Sequence, residues 1–352
     1  MAKKKGSEEQ KLNIRQEVRR LKEQGPERLY LLWGQEDYLR EYYLKELKKT
    51  CLPEGEDSFS YRRLDGPEVE LHTLREAVDA MPFLTERSFV ELRDLELNRP
   101  KEPEKLLKLF SDIPDYCTVA LIQGVKFEPD GRTKLIKGLR SLGRELHFEN
   151  QSQSALTEWI ARRFAAAGKS VELEASQRLI FVSGDLMSRL IPEIEKVAAY
   201  AQGTRVTVAD VEAVAHHIPE AVIFTLTDCI AEKRYNEAIR TLAELVSNKE
   251  SKDNEPIAML GLLGMQMRRL YAARLAIEKR LGVEYLMEIC ALKYDFLARK
   301  LMTAARGFTL PQLRCAVALC AETDYKMKSG GGDPVGLFEE LVLRIAAGGG
   351  DA

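Results

Sequence analysis

Arg28-Leu29-Tyr30-Leu31-Leu32-Trp33-Gly34-Gln35-Glu36-Asp37-Tyr38-Leu39-Arg40 is the stretch on which the reading of the first half of this chain turns. An unbroken apolar run ends in a glycine and passes straight into 37–50, where Tyr38, Leu39, Tyr42, Tyr43, Leu44 and Leu47 supply the apolar positions of a helix. A run apolar on both faces is a strand covered on both sides, as in parallel sheets flanked by helices. The alternation continues downstream. Strands are expected at 59–64, closed by the turn Asp65-Gly66-Pro67, and at 88–92, 117–122 and 144–148. Helices are expected at 69–80, 104–110 and 132–142, with another at 10–24 ahead of the first strand. This order predicts an α/β domain built on a parallel sheet.

The pattern changes after Glu149. The polar stretch Gln151-Ser152-Gln153-Ser154 reads as a linker with Ser154 as a helix N-cap, and the chain beyond it reads as helices only, at 155–167, 174–182, 186–201 and 208–215. Asp185 and Thr207 are expected caps, and Gly168 and Gly203 expected stops. His216-His217-Ile218-Pro219 marks a second boundary, beyond which 221–347 is helical with breaks near 248–255, near Gly307 and at Ser329-Gly330-Gly331-Gly332. The plan is therefore three domains, at 1–150, 151–217 and 218–352, with a mobile glycine-rich tail.

Length and charge narrow the function classes. The 352 residues carry 53 Lys and Arg against 55 Asp and Glu, a net charge of −2. A chain this close to neutral is no nucleic-acid coat, so any contact with DNA has to come from a local patch. No apolar run approaches the ~20 residues of a membrane span. The lysines at 3–5 precede no apolar stretch, so no signal peptide is expected and the location expected is cytoplasmic. Cys51, Cys117, Cys229, Cys290, Cys315 and Cys320 form no CxxC pair, and read as buried thiols rather than zinc ligands.

The turn after the first strand is where a phosphate-binding loop belongs, yet Gly34-Gln35-Glu36-Asp37 has no Gly-Lys-Ser/Thr, and its two acids would repel phosphate. Gly168-Lys169-Ser170 has the dipeptide but Arg163 where the upstream glycine should stand, and reads as a helix stop followed by a turn. Neither Phe89-Val90-Glu91-Leu92-Arg93-Asp94, alternating charged and apolar, nor 119–124 ends in the paired acids that hold magnesium. The adjacent His216 and His217 point to different sides of a helix and read as imidazolium caps at its C-terminus. Glu193 and Glu195 read as a solvated face. These residues compose no catalytic set, and no cofactor or metal is expected.

Ala80-Met81-Pro82-Phe83-Leu84-Thr85-Glu86-Arg87 is unlike an ordinary connection. The helix before it must end ahead of Pro82, and four large apolar residues then fall in a loop. They either fold back to cap the sheet or form an apolar tip for a partner's pocket. Basic residues gather at Lys126, Arg132, Lys134, Lys137, Arg140 and Arg144, and again at Arg268, Arg269, Arg274, Arg299 and Lys300. The first five are candidate DNA contacts, set against the ordinary reading of a solvated helix face.

Taken in order, 29–36 with Leu39, 80–87, Pro192-Glu193-Ile194-Glu195-Lys196-Val197, Ile223-Phe224-Thr225-Leu226-Thr227-Asp228 and Glu255-Pro256-Ile257-Ala258-Met259-Leu260 with Arg268-Arg269-Leu270 resemble the delta subunits of bacterial DNA polymerase III clamp loaders, over about 28–346. The resemblance implies an α/β RecA-like (AAA+) N-terminal domain, a small helical lid and an all-α collar. It implies a subunit that hydrolyses no ATP itself within a holoenzyme that is a DNA-directed DNA polymerase, a nucleotidyltransferase. In the family an apolar pair at the tip of a first-domain helix enters a hydrophobic pocket of the β sliding clamp. The matching positions are Phe83 and Leu84, which reverse the frequent Leu-Phe order, with Met81 and Pro82 beside them. The implied partners are the clamp, the ATPase and delta-prime type subunits joined through the collar, and primed DNA in the assembly, with no membrane. The implied action is that of a wrench: docking on the clamp favours its open ring. Two other classes stand beside this: an active AAA+ ATPase, and a structural DNA-binding adaptor of a replication or repair assembly.

Overall fold

The computed structural model describes residues 12–53, 55, 59–66, 69–83, 85–247 and 255–348. Leu84, Lys3 to Lys5, Gln10, Pro67, the break expected from residue 248 and the tail from Gly349 lie outside them. The chain divides into two compact units, residues up to Gln151 with Leu186–Ser188, and Ser152–Asp185 with the residues from Arg189 onward.

In the first unit, α1 (Ile14–Gln24), β1 (Leu29–Trp33), α2 (Asp37–Cys51), β2 (Tyr61–Asp65), α3 (Leu71–Asp79), β3 (Ser88–Arg93), α4 (Pro103–Ser111), β4 (Cys117–Ile122), α5 (Lys134–Leu142) and β5 (Arg144–His147) follow one another. The five strands lie in the order β2-β3-β4-β1-β5, every neighbouring pair parallel. This is the α/β domain on a parallel sheet that the sequence order predicts. Strand side chains alternate between two apolar layers. Leu29, Leu31, Val90, Leu92, Val119 and Leu121 pack on α3, α4 and α5, while Tyr30, Leu32, Phe89, Ala120 and Ile122 pack on α1 and α2.

With both faces covered, even the charged residue within the third strand is buried: Glu91 is only 1% exposed. Its carboxylate accepts hydrogen bonds from Arg93 Nε at 2.6 Å, Tyr61 Oη at 2.9 Å and Lys48 Nζ of α2 at 3.1 Å. Burial alone would raise its pKa. The bonds from Arg93, Lys48 and Tyr61 outweigh that and hold it below the ordinary value.

The second unit contains α6 (Gln153–Ala166), β6 (Ser170–Val171), α7 (Leu173–Ser183), α8 (Met187–Tyr200, apart from its first two residues), β7 (Arg205–Val206) and α9 (Val208–Val214). After these come α10 (Pro219–Ala231), α11 (Tyr235–Ser247), α12 (Pro256–Glu278), α13 (Val283–Ile289), α14 (Asp295–Ala305), α15 (Leu310–Lys328) and α16 (Pro334–Ala346). These last seven share one core, through Leu226, Leu263, Met267, Leu270, Leu301, Leu313 and Phe338.

Several local expectations need correction here. Ser152, not Ser154, caps α6, accepting from Ala155 N. The region is not purely helical, because β6 and β7 pair in parallel. Gly203 is not a helix stop, since α8 has already ended at Tyr200. Asp185 accepts from Lys293 Nζ (2.8 Å) and Tyr294 Oη (3.1 Å). Thr207 does cap α9, in a reciprocal box with Asp210, and Gly168 ends α6 with φ +73°. Additional breaks in the last helices carry positive φ at Lys233, Arg280 and Ala291.

Candidate functional site

The two edges of the parallel sheet are different places. Ligands of open α/β sheets bind outside the carboxyl ends of the strands, which is where the turn after β1 lies. Gly34 sits there at φ +126°, and a Cβ on it would stand 2.3 Å from the Phe148 carbonyl oxygen. Only glycine fits so close an approach. The turn's backbone donors face inward: Glu36 N donates to Phe148 O at 2.9 Å and Asp37 N to Gln35 O at 3.0 Å. Arg40, buried, donates from Nη1 to Gly34 O at 2.8 Å. A phosphate cradle presents such amides outward; this turn uses them on carbonyls. At Gly168-Lys169-Ser170, Lys169 Nζ donates to the carbonyls of Ala201 and Gly203.

The opposite edge carries the apolar tip. α3 ends at Asp79, whose carbonyl accepts from Tyr116 Oη at 3.1 Å. Ala80 turns to extended geometry (φ −62°, ψ 119°), two residues ahead of Pro82. Met81 is 81% exposed and Phe83 59%, so neither folds over the sheet to cap it. Pro82 lies half-buried between them. Phe59, placed by its sequence in the second strand, lies outside it. The β2–β3 ladder begins at Tyr61 opposite Phe89, leaving Phe59 75% exposed. Its ring meets that of Phe83 edge to face, with centroids 5.9 Å apart at 88°. Nothing in the local sequence marks Phe59 for this place; the register of the ladder does.

The candidate DNA contacts lie toward the carboxyl edge, in the loop after β4 and along α5. All five are exposed, but they are not equivalent. Arg132 is paired with Asp130 (2.9 Å) and Arg140 with Glu145 (2.5 Å). Arg144 is held by Glu17 at 2.6 Å and leaves the group. Lys126, Lys134 and Lys137 make no ion pair among the described residues. In the later cluster, Arg269, Arg274, Arg299 and Lys300 are each paired, with Glu220, Glu278, Asp295 and Asp228.

The histidine and carboxylate readings change. His216 and His217 lie past the end of α9, whose C-cap is Ala215, rather than on a helix; burial lowers the pKa of His217, helped by Arg178 and His216 and opposed by Glu212, whose carboxylate is 3.8 Å away. Glu193 is buried, not solvated, and accepts from His216 N at 2.8 Å and Lys196 Nζ at 2.7 Å. Glu195 remains exposed. The six cysteines are free thiols. Among the described residues no His, Cys, Asp and Glu group has the makings of a metal site, and no helix is long and apolar enough to cross a membrane.

Comparison with known proteins gives one consistent result. A family model described as "DNA polymerase III, delta subunit" matches residues 30–149, and one for the C-terminal domain of the same subunit matches residues 220–345. The chain is 23% identical over 325 residues to the DNA polymerase III subunit delta of Bacillus subtilis, covering 90% of this chain and 92% of that one. It is 23% identical over 327 residues to a probable DNA polymerase III subunit delta of Aquifex aeolicus, covering 90% of each. In fold it is similar to the solved structure of a DNA clamp loader delta protein from Bacillus subtilis, with a TM-score of 0.54 at 23% identity over 95% of this chain and 100% of that one.

Proposed function

Because the chain belongs to the DNA polymerase III delta-subunit family, we propose that it serves DNA replication by binding the β sliding clamp and opening it for loading onto primed DNA. The observation that carries this reading is the apolar tip, with Met81 and Phe83 exposed on the edge of the sheet away from the nucleotide position. Exposed aromatic and aliphatic side chains on a well-anchored loop are what a partner's apolar pocket accepts. Leu84 joins them by its place in the sequence.

The clamp ring has closed and open states, and a ligand with the higher affinity for the open state shifts the population toward it. The subunit acts as a wrench of this kind and hydrolyses no ATP itself, since the turn after β1 lacks the lysine and has turned its amides inward. ATP bound by partner subunits governs access to the tip. Residues 151–217 act as a lid, and residues 218–352 as a collar joining the ATPase and delta-prime type subunits. The site of action is the cytoplasmic replisome.

The test is binding of the purified chain to its own sliding clamp without nucleotide, beside the double variant Phe83→Ala, Leu84→Ala. Removing two buried anchors costs ~2–4 kcal/mol, about 30- to 1000-fold in affinity. Wild-type affinity in the double variant would defeat the assignment. A second reading, a structural DNA-binding adaptor, is favoured by Lys126, Lys134 and Lys137, exposed and without ion pairs among the described residues. Salt-dependent binding of primed DNA by a chain that ignores the clamp would select it.

A further inference from the structure

We infer that the clamp-binding tip is a two-element device, in which Phe59 is a third apolar anchor and Ser60 is the latch that sets the tip's shape. The inference rests on the clamp-binding reading above and adds residues outside the 81–84 segment. Ser60 is buried beneath the tip, and its carbonyl accepts from Phe89 N at 2.8 Å, which ties it to the start of β3. From that fixed position its hydroxyl engages both backbone groups of Phe83, accepting from Phe83 N at 2.9 Å and donating to Phe83 O at 3.2 Å. The Thr85 hydroxyl lies 2.6 Å from Ser60 Oγ and 2.8 Å from the Arg87 carbonyl oxygen. One serine therefore holds the loop on either side of position 84, and the loop carries its anchor on a backbone already bonded to the sheet.

The adjacent residue completes the surface. Phe59 stands at the same edge, three-quarters exposed, with its ring edge to face against Phe83. An exposed aromatic pair of this geometry offers a partner a contiguous apolar face drawn from two separate segments of the chain. A tip shaped before binding spends less of its contact energy on ordering. The partner it fits is the apolar pocket already proposed for Phe83, widened to admit a second ring.

The experiment measures equilibrium and dissociation kinetics of the full-length chain on its purified sliding clamp. The variants are Phe59→Ala, Ser60→Ala, Ser60→Thr, Phe83→Ala, and Ser60→Ala combined with Phe83→Ala. Phe59→Ala should weaken binding about tenfold, as loss of a central aromatic anchor does. Ser60→Ala should weaken it about five- to tenfold, the size of a lost buried hydrogen-bonding group, with Ser60→Thr restoring it. In the Phe83→Ala background, Ser60→Ala should add little, because the latch acts through Phe83. Wild-type affinity in Phe59→Ala and Ser60→Ala, with binding lost in Phe83→Ala, overturns this inference and leaves the clamp reading standing. A full additive loss in the Ser60, Phe83 double variant shows that Ser60 serves the fold rather than the tip and overturns the latch. A wild-type chain that does not bind the clamp overturns the parent reading and this inference with it.

Discussion

Replacing Glu91 tests whether the first unit depends on a buried charge as its geometry implies. The carboxylate is 1% exposed and three donors converge on it, from α2, β2 and its own strand. Deleting one member of a buried ionic group costs about 3–5 kcal/mol. Here the lower end applies, because Arg93 also holds Glu41 through two bonds of 2.9 Å and is partly exposed. Glu91→Ala should therefore cost about 3 kcal/mol, and Glu91→Gln, which keeps an acceptor in place, about 1.5–2 kcal/mol. The assay is urea unfolding followed by Trp33 fluorescence in a Trp159→Phe background, which leaves a single tryptophan, in the first unit. With a urea slope of roughly 2 kcal/mol/M, the Ala midpoint should fall by about 1.5 M. The sign of the pH effect follows from the depressed pKa. The stabilisation is fully present above the ordinary value of 4.5 and is lost as pH falls through the lower folded value. The wild type should weaken over that acid range, and the Gln variant should lack this part of the slope. An Ala midpoint within about 0.3 M of wild type would refute the reasoning, since it would leave less than about 0.6 kcal/mol for the whole network.

Two further perturbations follow from geometry already described. Gly34→Ala combines a left-handed φ with a 2.3 Å backbone contact and should cost at least about 2 kcal/mol in the same titration; a loss below about 0.5 kcal/mol would mean that the turn rearranges cheaply. In the second unit, the lowered pKa of His217 means that its neutral form stabilises the fold above about pH 6.5 and that this contribution is lost as pH falls. Trp159 fluorescence in a Trp33→Phe background should show melting temperature falling below that pH in wild type and less so in His217→Gln, and identical slopes would contradict the assignment.

Much of the fold is written in local patterns strong enough to survive without tertiary context. The runs 29–33 and 117–122 are apolar at every position but Thr118, and only a doubly covered strand uses such a run. Thr207 and Asp210 announce a helix start by their spacing alone. What failed to show depends on partners distant in the chain. The alternation at 89–94 does not say that Glu91 is buried, which follows only when α2 brings Lys48 over it. Glu193 looks like a surface acid until the backbone of His216, 23 residues on, donates to it. β6 and β7 are two residues each, too short to raise a periodic signal. The helix breaks at Lys233, Arg280 and Ala291 place ordinary residues at positive φ, where turn chemistry would have asked for glycine. The candidate site divides in the same way. Proline after a helix and a run of large apolar residues mark 81–84 as an unusual loop without saying which way its side chains turn, and the exposure of Met81 and Phe83 and the approach of Phe59 to Phe83 show only in the structure.

The two candidate surfaces of the first unit share a sheet but not an edge. The apolar tip precedes β3 and Phe59 precedes β2, so both stand at the amino ends of the strands. Lys126 follows β4, and Lys134 and Lys137 open the helix that returns from its carboxyl end. A five- or six-residue strand separates the edges by roughly 15–20 Å. At that distance, with no shared partner, substitutions at one surface leave the other's energetics untouched. The fold can therefore hold a protein pocket at one edge while its basic edge meets phosphate. The turn after β1 is where a nucleotide would have competed for the second edge, and its amides are already bonded to carbonyls of the chain itself.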